Sequence, residues 1–257
     1  MVAVRLVRKG VVLALAAMLV LGCSREGFKA SLNRGSSSQA SGAASSGSDA
    51  PTPDALVFDM DVGEVAEDGV YLYYALPRAT DPLAEEPAEH ISEKIHMALF
   101  ALKNEIAGGQ TGYNLTAYDG LTRNDGVYYS TMYDIKYTPT KDAAKALYCF
   151  GLVFDSAMGE LVGIDSIINT GALAALLLDE QSSKILEKDE ALAQKQRDYL
   201  NEQGVNALKE RLTYPDGVVS LERLLDASFY LDGGKLVAVF AAPQDIGGVV
   251  KASISLK

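Results

Sequence analysis

The residue with the most specific chemistry in the chain is Cys23, which closes the sequence Val-Leu-Gly-Cys over residues 20–23. It follows three cations, Arg5, Arg8 and Lys9, and an apolar run over residues 10–21. This order is typical of a bacterial lipoprotein signal, in which a lipid is joined to the cysteine through a thioether. The segment before the cysteine is then removed, and the new amino terminus is acylated. The pattern therefore predicts a signal peptide over residues 1–22 and a lipid on Cys23.

The lipid on Cys23 also predicts where the protein works. The apolar run is about a dozen residues long, whereas a helix that crosses a bilayer needs roughly 20. Each acyl CH₂ that enters the bilayer contributes about 0.8 kcal/mol, so several chains hold a protein stably. We expect a location on the extracytoplasmic face of the cell membrane. An uncleaved anchor helix and an ordinary secretory signal are the alternatives.

Catalytic motifs are scarce in the remaining sequence. It contains no Gly-Lys-Ser/Thr phosphate loop, no Gly-x-Ser-x-Gly and no His-Glu-x-x-His. His90 and His96 lie six residues apart on one predicted helix, about 240° around its axis, so they cannot share a metal ion. A calcium loop starting at Asp59 fails, because Glu64 and Val70 occupy the positions that need Gly and Glu. We therefore predict no metal, no cofactor and no enzymatic activity.

Tyrosine is the residue type that most favours binding in this chain. The sequence has 13 Tyr and no Trp, and four of the tyrosines fall in one short run, Tyr128, Tyr129, Tyr133 and Tyr137. Tyrosine is enriched at binding surfaces because it combines a large apolar area with a hydroxyl group. These four residues are the predicted binding surface. The alternative is a strand that packs one face on a core.

The charge of the chain restricts its partners. There are 23 Lys+Arg against 34 Asp+Glu, a net charge of −11, and loss of the three cations of the signal lowers this to −14. Such acidity argues against nucleic acid as a partner and favours a cationic one. Acidity also keeps an exported protein in solution, so the charge does not by itself require a partner.

The composition changes sharply near residue 54. Residues 24–54 are rich in Ser, Gly and Ala, which predicts that residues 23–54 form a disordered tether behind the lipid. From residue 55 to residue 257 the pattern becomes globular, with room for one domain or for two lobes that separate near residue 140.

Hydrophobic periodicity predicts the elements of this globular part. The predicted strands cover residues 70–76, 127–137, 146–154, 161–164, 228–231, 235–241 and 249–256. The predicted helices cover residues 86–106, 173–181 and 190–212. Strands grouped around separate helices indicate an α+β fold. It has antiparallel sheets, an amphipathic helix after the first strand and a helical segment before the C-terminal hairpin.

Three stretches of the second half resemble a known family. They are residues 154–165, which begin Phe-Asp-Ser-Ala-Met-Gly, residues 229–240, which begin Phe-Tyr-Leu-Asp-Gly-Gly, and residues 243–247, Pro-Gln-Asp-Ile-Gly. They are similar to strand and turn motifs of the extracytoplasmic, C-terminal domain of RsiV-type anti-sigma factors. The resemblance covers about residues 65–257. It implies a binding domain, which recognises lysozyme in the best-known member.

The chain departs from that family in several ways. Residues 141–146 lack the Gly-Gly and His that the family usually shows before its Phe-Asp strand, and Pro243 stands where the family has Tyr. A lipid signal replaces the anti-sigma segment and the membrane helix. The resemblance therefore implies the binding half alone, without direct control of a cytoplasmic sigma factor.

The leading hypothesis is a lipid-anchored, non-catalytic binding or sensor module for a protein or cell-wall ligand. The membrane is its partner through the lipid on Cys23, and a basic, lysozyme-like protein or peptidoglycan is its expected ligand. One alternative is an enzyme or accessory factor that acts on peptidoglycan. Another is a solute-binding lipoprotein.

Overall fold

The structure is a computed structural model that describes residues 57–67, 70–80, 82–107, 113–139, 144–213 and 220–256. The signal peptide, Cys23 and the tether lie outside the described residues, so their predictions stay predictions. Among the described residues, no helix has both the length and the apolarity that crossing a membrane requires.

Nine strands and four helices form the described part of the chain. In order they are β1 (Asp59–Glu67), β2 (Val70–Arg78), α1 (Glu85–Ala107), β3 (Asn114–Asn124), β4 (Tyr128–Thr138), β5 (Ala146–Asp155), α2 (Thr170–Leu178), β6 (Ser183–Ile185), α3 (Glu190–Leu212), α4 (Leu221–Asp226), β7 (Ala227–Asp232), β8 (Lys235–Ala241) and β9 (Val249–Ser255).

The strands form two sheets. The five-stranded sheet has the order β1-β2-β3-β4-β5, and the four-stranded sheet has the order β6-β9-β8-β7. Neighbouring strands are antiparallel, except that β2 and β3 are parallel. The parallel pair needs a crossover connection, which α1 supplies. The α+β fold class is confirmed.

Helix α1 covers one face of the five-stranded sheet. Ile91, Ile95 and Leu99 step by four along the helix and are buried against that sheet. The predicted amphipathic helix is therefore confirmed, with bounds one residue wider at each end. Its apolar stripe packs on Leu115 and Phe150, which belong to β3 and β5.

The second face of β4 and β5 packs on the four-stranded sheet. Gly151 of β5 lies directly against the backbone of Phe229 in β7. The Gly151 N–H donates to Ser228 Oγ at 3.0 Å, and the Leu231 N–H donates to Ser130 Oγ at 2.9 Å. Two buried serines thus join the sheets by hydrogen bonds inside an otherwise apolar interface.

Helices α2 and α3 cover the outer face of the four-stranded sheet. Leu173 and Leu200 are buried between the helices and that sheet. Arg197 of α3 is also buried, and its guanidinium donates to Leu177 O at 2.7 Å and to Ser183 Oγ at 2.8 Å. The cation lies at the C-terminal end of α2, where positive charge is favourable.

Two predictions about the fold need correction. No lobe boundary lies near residue 140, because β4 and β5 pair from Tyr128 with Asp155 to Tyr137 with Ala146. The strand predicted at 161–164 is a single bridge from Leu161 to Phe154, and a 3₁₀ turn follows at Ile164–Ser166. Strands β1 and β3 were not predicted, since neither shows a long apolar alternation.

The close approach of the sheets gives a stability prediction. In Gly151→Ala, the new methyl group overlaps the Phe229 backbone carbonyl, which cannot move without shifting β7. We expect the free energy of unfolding to fall by about 1–3 kcal/mol, the usual cost of overpacking. Gly163→Ala is the control, because the space around Gly163 is open and its φ is −76°. Equal losses in urea denaturation of both variants would contradict this packing.

Candidate functional site

The predicted tyrosine surface is wrong for three of its four residues. Tyr129 and Tyr133 have no exposed area and Tyr137 keeps 6%. Alternation along β4 turns all three under α1, where the Tyr133 ring stacks on Phe150 with centroids 5.1 Å apart. Tyr128 points to the other face and is half-buried, with the Arg123 guanidinium 5.2 Å from its ring centroid. The alternative, a strand that packs one face on a core, is confirmed for these three rings, but the other face of β4 is covered as well, since Ser130 is fully buried.

Tyr129 belongs to a polar cluster at a separation between β2 and β3. These strands pair from Val70 with Leu115 to Tyr73 with Tyr118, and then diverge. Beyond that point, Asp119 Oδ2 accepts the Ala75 N–H at 2.8 Å and the Tyr129 hydroxyl donates to Ala75 O at 3.3 Å. Side chains thus satisfy backbone groups that a continued ladder would have paired.

Burial sets the protonation of this cluster. Burial raises the pKa of Asp119, against hydrogen bonds from Thr131 and Ala75 that lower it. Burial and the nearby Asp119 carboxylate also raise the pKa values of Tyr129 and Tyr133, which stay protonated at neutral pH. Asp119 is therefore the group of this cluster that titrates under acidic conditions.

The exposed tyrosines lie instead on the uncovered half of the five-stranded sheet. Tyr71 is 42% exposed and Tyr118 is 47% exposed, and both point away from α1. The Tyr73 and Tyr118 rings stack with centroids 5.5 Å apart and planes within 1° of parallel. We call Tyr71, Tyr73 and Tyr118 the tyrosine face. Its sequence signal is the alternation Val-Tyr-Leu-Tyr from residue 70, which places both tyrosines opposite the buried side.

The tyrosine face continues a row of side chains across four strands. Strand register pairs Glu64 with Tyr73, Tyr73 with Tyr118, and Tyr118 with Asp134. The Glu64 carboxylate raises the pKa of Tyr73 above its ordinary value. Because directly opposite residues share one face of a sheet, the row is a continuous strip of aromatic and acidic groups.

A groove of about 410 Å³ opens beside Tyr118. One wall comes from the five-stranded sheet, and the other comes from β9, the residues after β6 and the buried Gln196. The lining includes Tyr118, Asp134, Lys136, Leu147, Leu186, Glu187, Val249 and Lys251. Its volume is within the range of small-molecule sites, about 300–1,000 Å³.

An ion pair crosses the groove from one sheet to the other. Lys251 Nζ of β9 lies 2.5 Å from Asp134 Oδ1 of β4. Burial would lower the pKa of Lys251, but the charge of the Asp134 carboxylate and the hydrogen bond to it hold that pKa above its ordinary value. Lys251 is therefore a fixed cation, and Asp134 already has its counter-charge.

Glutamine side chains hold the second wall of the groove. Gln196 Nε2 donates to Ile246 O at 3.0 Å and to Val249 O at 3.2 Å. Gly247 has a φ of 99°, and a side chain there would crowd Gln196 Nε2 at 3.3 Å. Gln244 Oε1 accepts the Leu147 N–H at 3.2 Å, which ties the two sheets together beside the groove.

Other reactive residue types do not form a site within the described ranges. No group of three or more His, Cys, Asp or Glu there could hold a metal ion. His96 contacts the edge of the Tyr74 ring, and His90 Nδ1 lies 3.3 Å from Met158 O. Cys149 is buried between the sheets, and burial raises its pKa to about 12, so it remains a thiol.

Comparison with known proteins gives structural neighbours only. No family model matches the chain, and no curated protein matches it. A DUF3298 family member from Bacteroides fragilis is 13% identical, with a TM-score of 0.46 over 79% of this chain and 92% of that chain. A DUF3298 family protein from Pseudomonas aeruginosa is 10% identical, with a TM-score of 0.36 over 80% of this chain and 91% of that chain. Neither description states an activity.

The Asp119 cluster gives a pH prediction. Its folded-state pKa is raised, so the unfolded chain releases this proton first as pH rises. Asp119 therefore favours folding most below the ordinary aspartate pKa, and that contribution is lost as pH rises through its folded pKa. Carboxyl ¹³C NMR of the folded protein should show Asp119 titrating above 3.8, the ordinary value.

Asp125 is the matched control for that titration. Burial would raise its pKa, but N–H groups of Tyr128 and Val127 and the Arg123 guanidinium hold it below its ordinary value. Asp125 therefore stabilises the fold above the ordinary aspartate pKa, and this is lost as pH falls through its folded pKa. If Asp119 titrates at or below Asp125, the buried placement of Asp119 is wrong.

Proposed function

We propose that the chain is a lipid-anchored, extracytoplasmic binding module that recognises a basic protein of the lysozyme type and catalyses no reaction. The observation that carries the proposal is the tyrosine face. The rings of Tyr71 and Tyr118 are exposed on a sheet surface, the half-buried Tyr73 ring stacks on Tyr118, and Glu64 lies directly opposite Tyr73. Peptidoglycan is the alternative ligand.

The stacked rings favour a macromolecular partner. One face of Tyr118 lies against Tyr73, and Lys136 Nζ is 5.6 Å from the Tyr118 centroid. The rings are thus ordered before binding and lose little side-chain entropy when a partner covers them. Ordered tyrosines are frequent energetic centres of protein interfaces.

Charge favours a basic partner over an acidic one. The chain carries a net charge of −11 before processing. Glu64 lies directly opposite Tyr73 on β1 and extends the tyrosine face on that side with a carboxylate. An acidic surface of this kind raises the encounter rate with a cationic protein, and salt reduces the effect.

Lipidation at Cys23 is directly testable. In a bacterial host fed with labelled palmitate, the full chain should incorporate label and fractionate with membranes. Cys23→Ala should lose both properties, because the thioether cannot form. Cys149→Ala is the matched control and should keep both, since its thiol lies buried between the sheets. Membrane retention of Cys23→Ala without label would indicate an uncleaved anchor helix instead.

The tyrosine face is testable by binding. Titration calorimetry of the Cys23→Ala chain with a basic lysozyme at low salt should give measurable heat, and the affinity should fall as salt is added. Tyr71→Ala should raise the dissociation constant about tenfold, the effect of losing roughly 1.4 kcal/mol at an interface. Phe100→Ala removes a 73%-exposed ring from α1, on the other side of the sheet, and should have no effect.

Two outcomes would change the assignment of the ligand. If titration with lysozyme at low salt gives no heat, lysozyme is not the ligand. If the chain then sediments with purified cell-wall sacculi, and Tyr71→Ala reduces this retention, peptidoglycan is the ligand of the tyrosine face.

A further inference from the structure

We propose that the groove beside Tyr118 is a second site, for a short peptide that carries both a free ammonium group and a free carboxylate. The groove shares Tyr118 with the tyrosine face, but the inference does not depend on the basic protein partner, because the charges that the groove offers to a ligand belong to Lys136 and Glu187. Four features of its lining lead to this ligand chemistry.

The first feature is a cation without a counter-charge. Lys136 is exposed on the β4 wall, and the ring of Tyr118 is its neighbour at 5.6 Å. Asp134, two residues away on the same strand face, is held by Lys251. Among the ion pairs of the described residues none includes Lys136. This ammonium group is therefore available to a ligand carboxylate.

The second feature is an anion without a counter-charge on the opposite wall. Glu187 follows β6, and the N–H of Leu186 beside it donates to Lys251 O at 2.9 Å. Glu187 Oε1 accepts the Lys188 N–H at 2.7 Å and the Asp189 N–H at 3.1 Å, which orients the carboxylate. The described residues hold no cation in an ion pair with Glu187 either. This carboxylate is available to a ligand ammonium.

The third feature is that the Lys251–Asp134 ion pair gives the groove no further net charge. The Lys251–Asp134 pair is internally compensated and therefore does not select a charged ligand. A ligand with one charge would satisfy one wall and leave the other unpaired. A ligand with both charges satisfies both walls, and this complementarity favours a zwitterion.

The fourth feature is apolar surface within the same lining. Leu147 is 37% exposed and Leu186 is 40% exposed, one on each wall, and Val249 lies with them in the groove. Small apolar side chains of a peptide can cover these groups while its backbone spans the charges. A volume of about 410 Å³ accommodates a short peptide and not a folded domain.

Trialanine is a suitable probe because it has free termini and methyl side chains. It should bind the Cys23→Ala chain and shift the amide NMR signals of residues 134–136 and 186–187. N-acetyl-trialanine lacks the ammonium and trialanine amide lacks the carboxylate, so each should bind about tenfold more weakly. Equal binding of all three peptides, or no shift of these amides at about 10 mM trialanine, overturns the proposal.

Two variants assign the charges to their residues. Lys136→Met should bind trialanine and its amide equally, because the carboxylate has lost its partner. Glu187→Gln should bind trialanine and its N-acetyl form equally, because the ammonium has lost its partner. Lys235→Met removes an exposed lysine outside the groove and should keep the full preference for trialanine. If either groove variant keeps the wild-type preference, the assignment of that wall is wrong.

Further binding experiments identify the source of the peptide and distinguish the groove from the tyrosine face. Stronger binding of a cell-wall stem peptide than of trialanine identifies the wall as the source, and the reverse identifies free oligopeptides. Tyr71→Ala should leave trialanine binding unchanged, since Tyr71 does not line the groove. If the Cys23→Ala chain binds lysozyme but not trialanine, the groove proposal is wrong and the proposed function is unaffected.

Discussion

The contact between the two sheets determines the rest of the arrangement. Gly151 lets β5 approach the backbone of Phe229 in β7, and the hydroxyls of Ser228 and Ser130 accept N–H groups across the contact. Such a contact needs a residue without a side chain and polar groups short enough to bond across the gap. Between the sheets, Cys149 of β5 packs in one buried apolar cluster with Tyr230, Val237 and Val239 of the four-stranded sheet. The two sheets are therefore held together by hydrogen bonds from backbone N–H groups to serine hydroxyls as well as by the packing of their apolar faces.

The unequal size of the sheets explains where exposed functional groups lie. The four-stranded sheet packs mainly on β4 and β5, which leaves the same face of β2 and much of β3 uncovered. Tyr71 and Tyr118 are exposed for this reason, whereas Tyr129 and Tyr133 of the adjacent strand lie under α1. The groove follows from the same mismatch, since it forms where the covering sheet ends at β9. One boundary between covered and uncovered sheet thus generates both the tyrosine face and the groove.

Local sequence patterns predicted much of the fold but little of this boundary. The helix predicted at 190–212 has the observed outer bounds, Glu190–Leu212, but Gly204, with a φ of 72°, divides it into two helical segments at a kink. The C-terminal hairpin and last strand were predicted to within a residue or two. Periodicity identifies which residues of a strand share a face. It does not say whether that face meets a helix, a second sheet or water. The predicted tyrosine surface therefore fell on buried residues. Lys136 and Glu187 gave no signal, because they are distant in sequence and line one groove only through the packing of two sheets.

The separation of β2 from β3 has a consequence for local stability. Four residue pairs join these strands in a short seam before they diverge, and beyond them side-chain hydrogen bonds from Asp119 and Tyr129 to the backbone of Ala75 hold the β1–β2 hairpin to the sheet. A hairpin attached in this way is a natural unit of partial opening, with a lower opening free energy than the sheet as a whole. Tyr73 stands on one side of the seam and Tyr118 on the other, with their rings stacked across it. A partner that covers both rings bridges the seam, so its binding energy adds to the work needed to open the hairpin. Occupancy of the tyrosine face would thus change the local order of this hairpin.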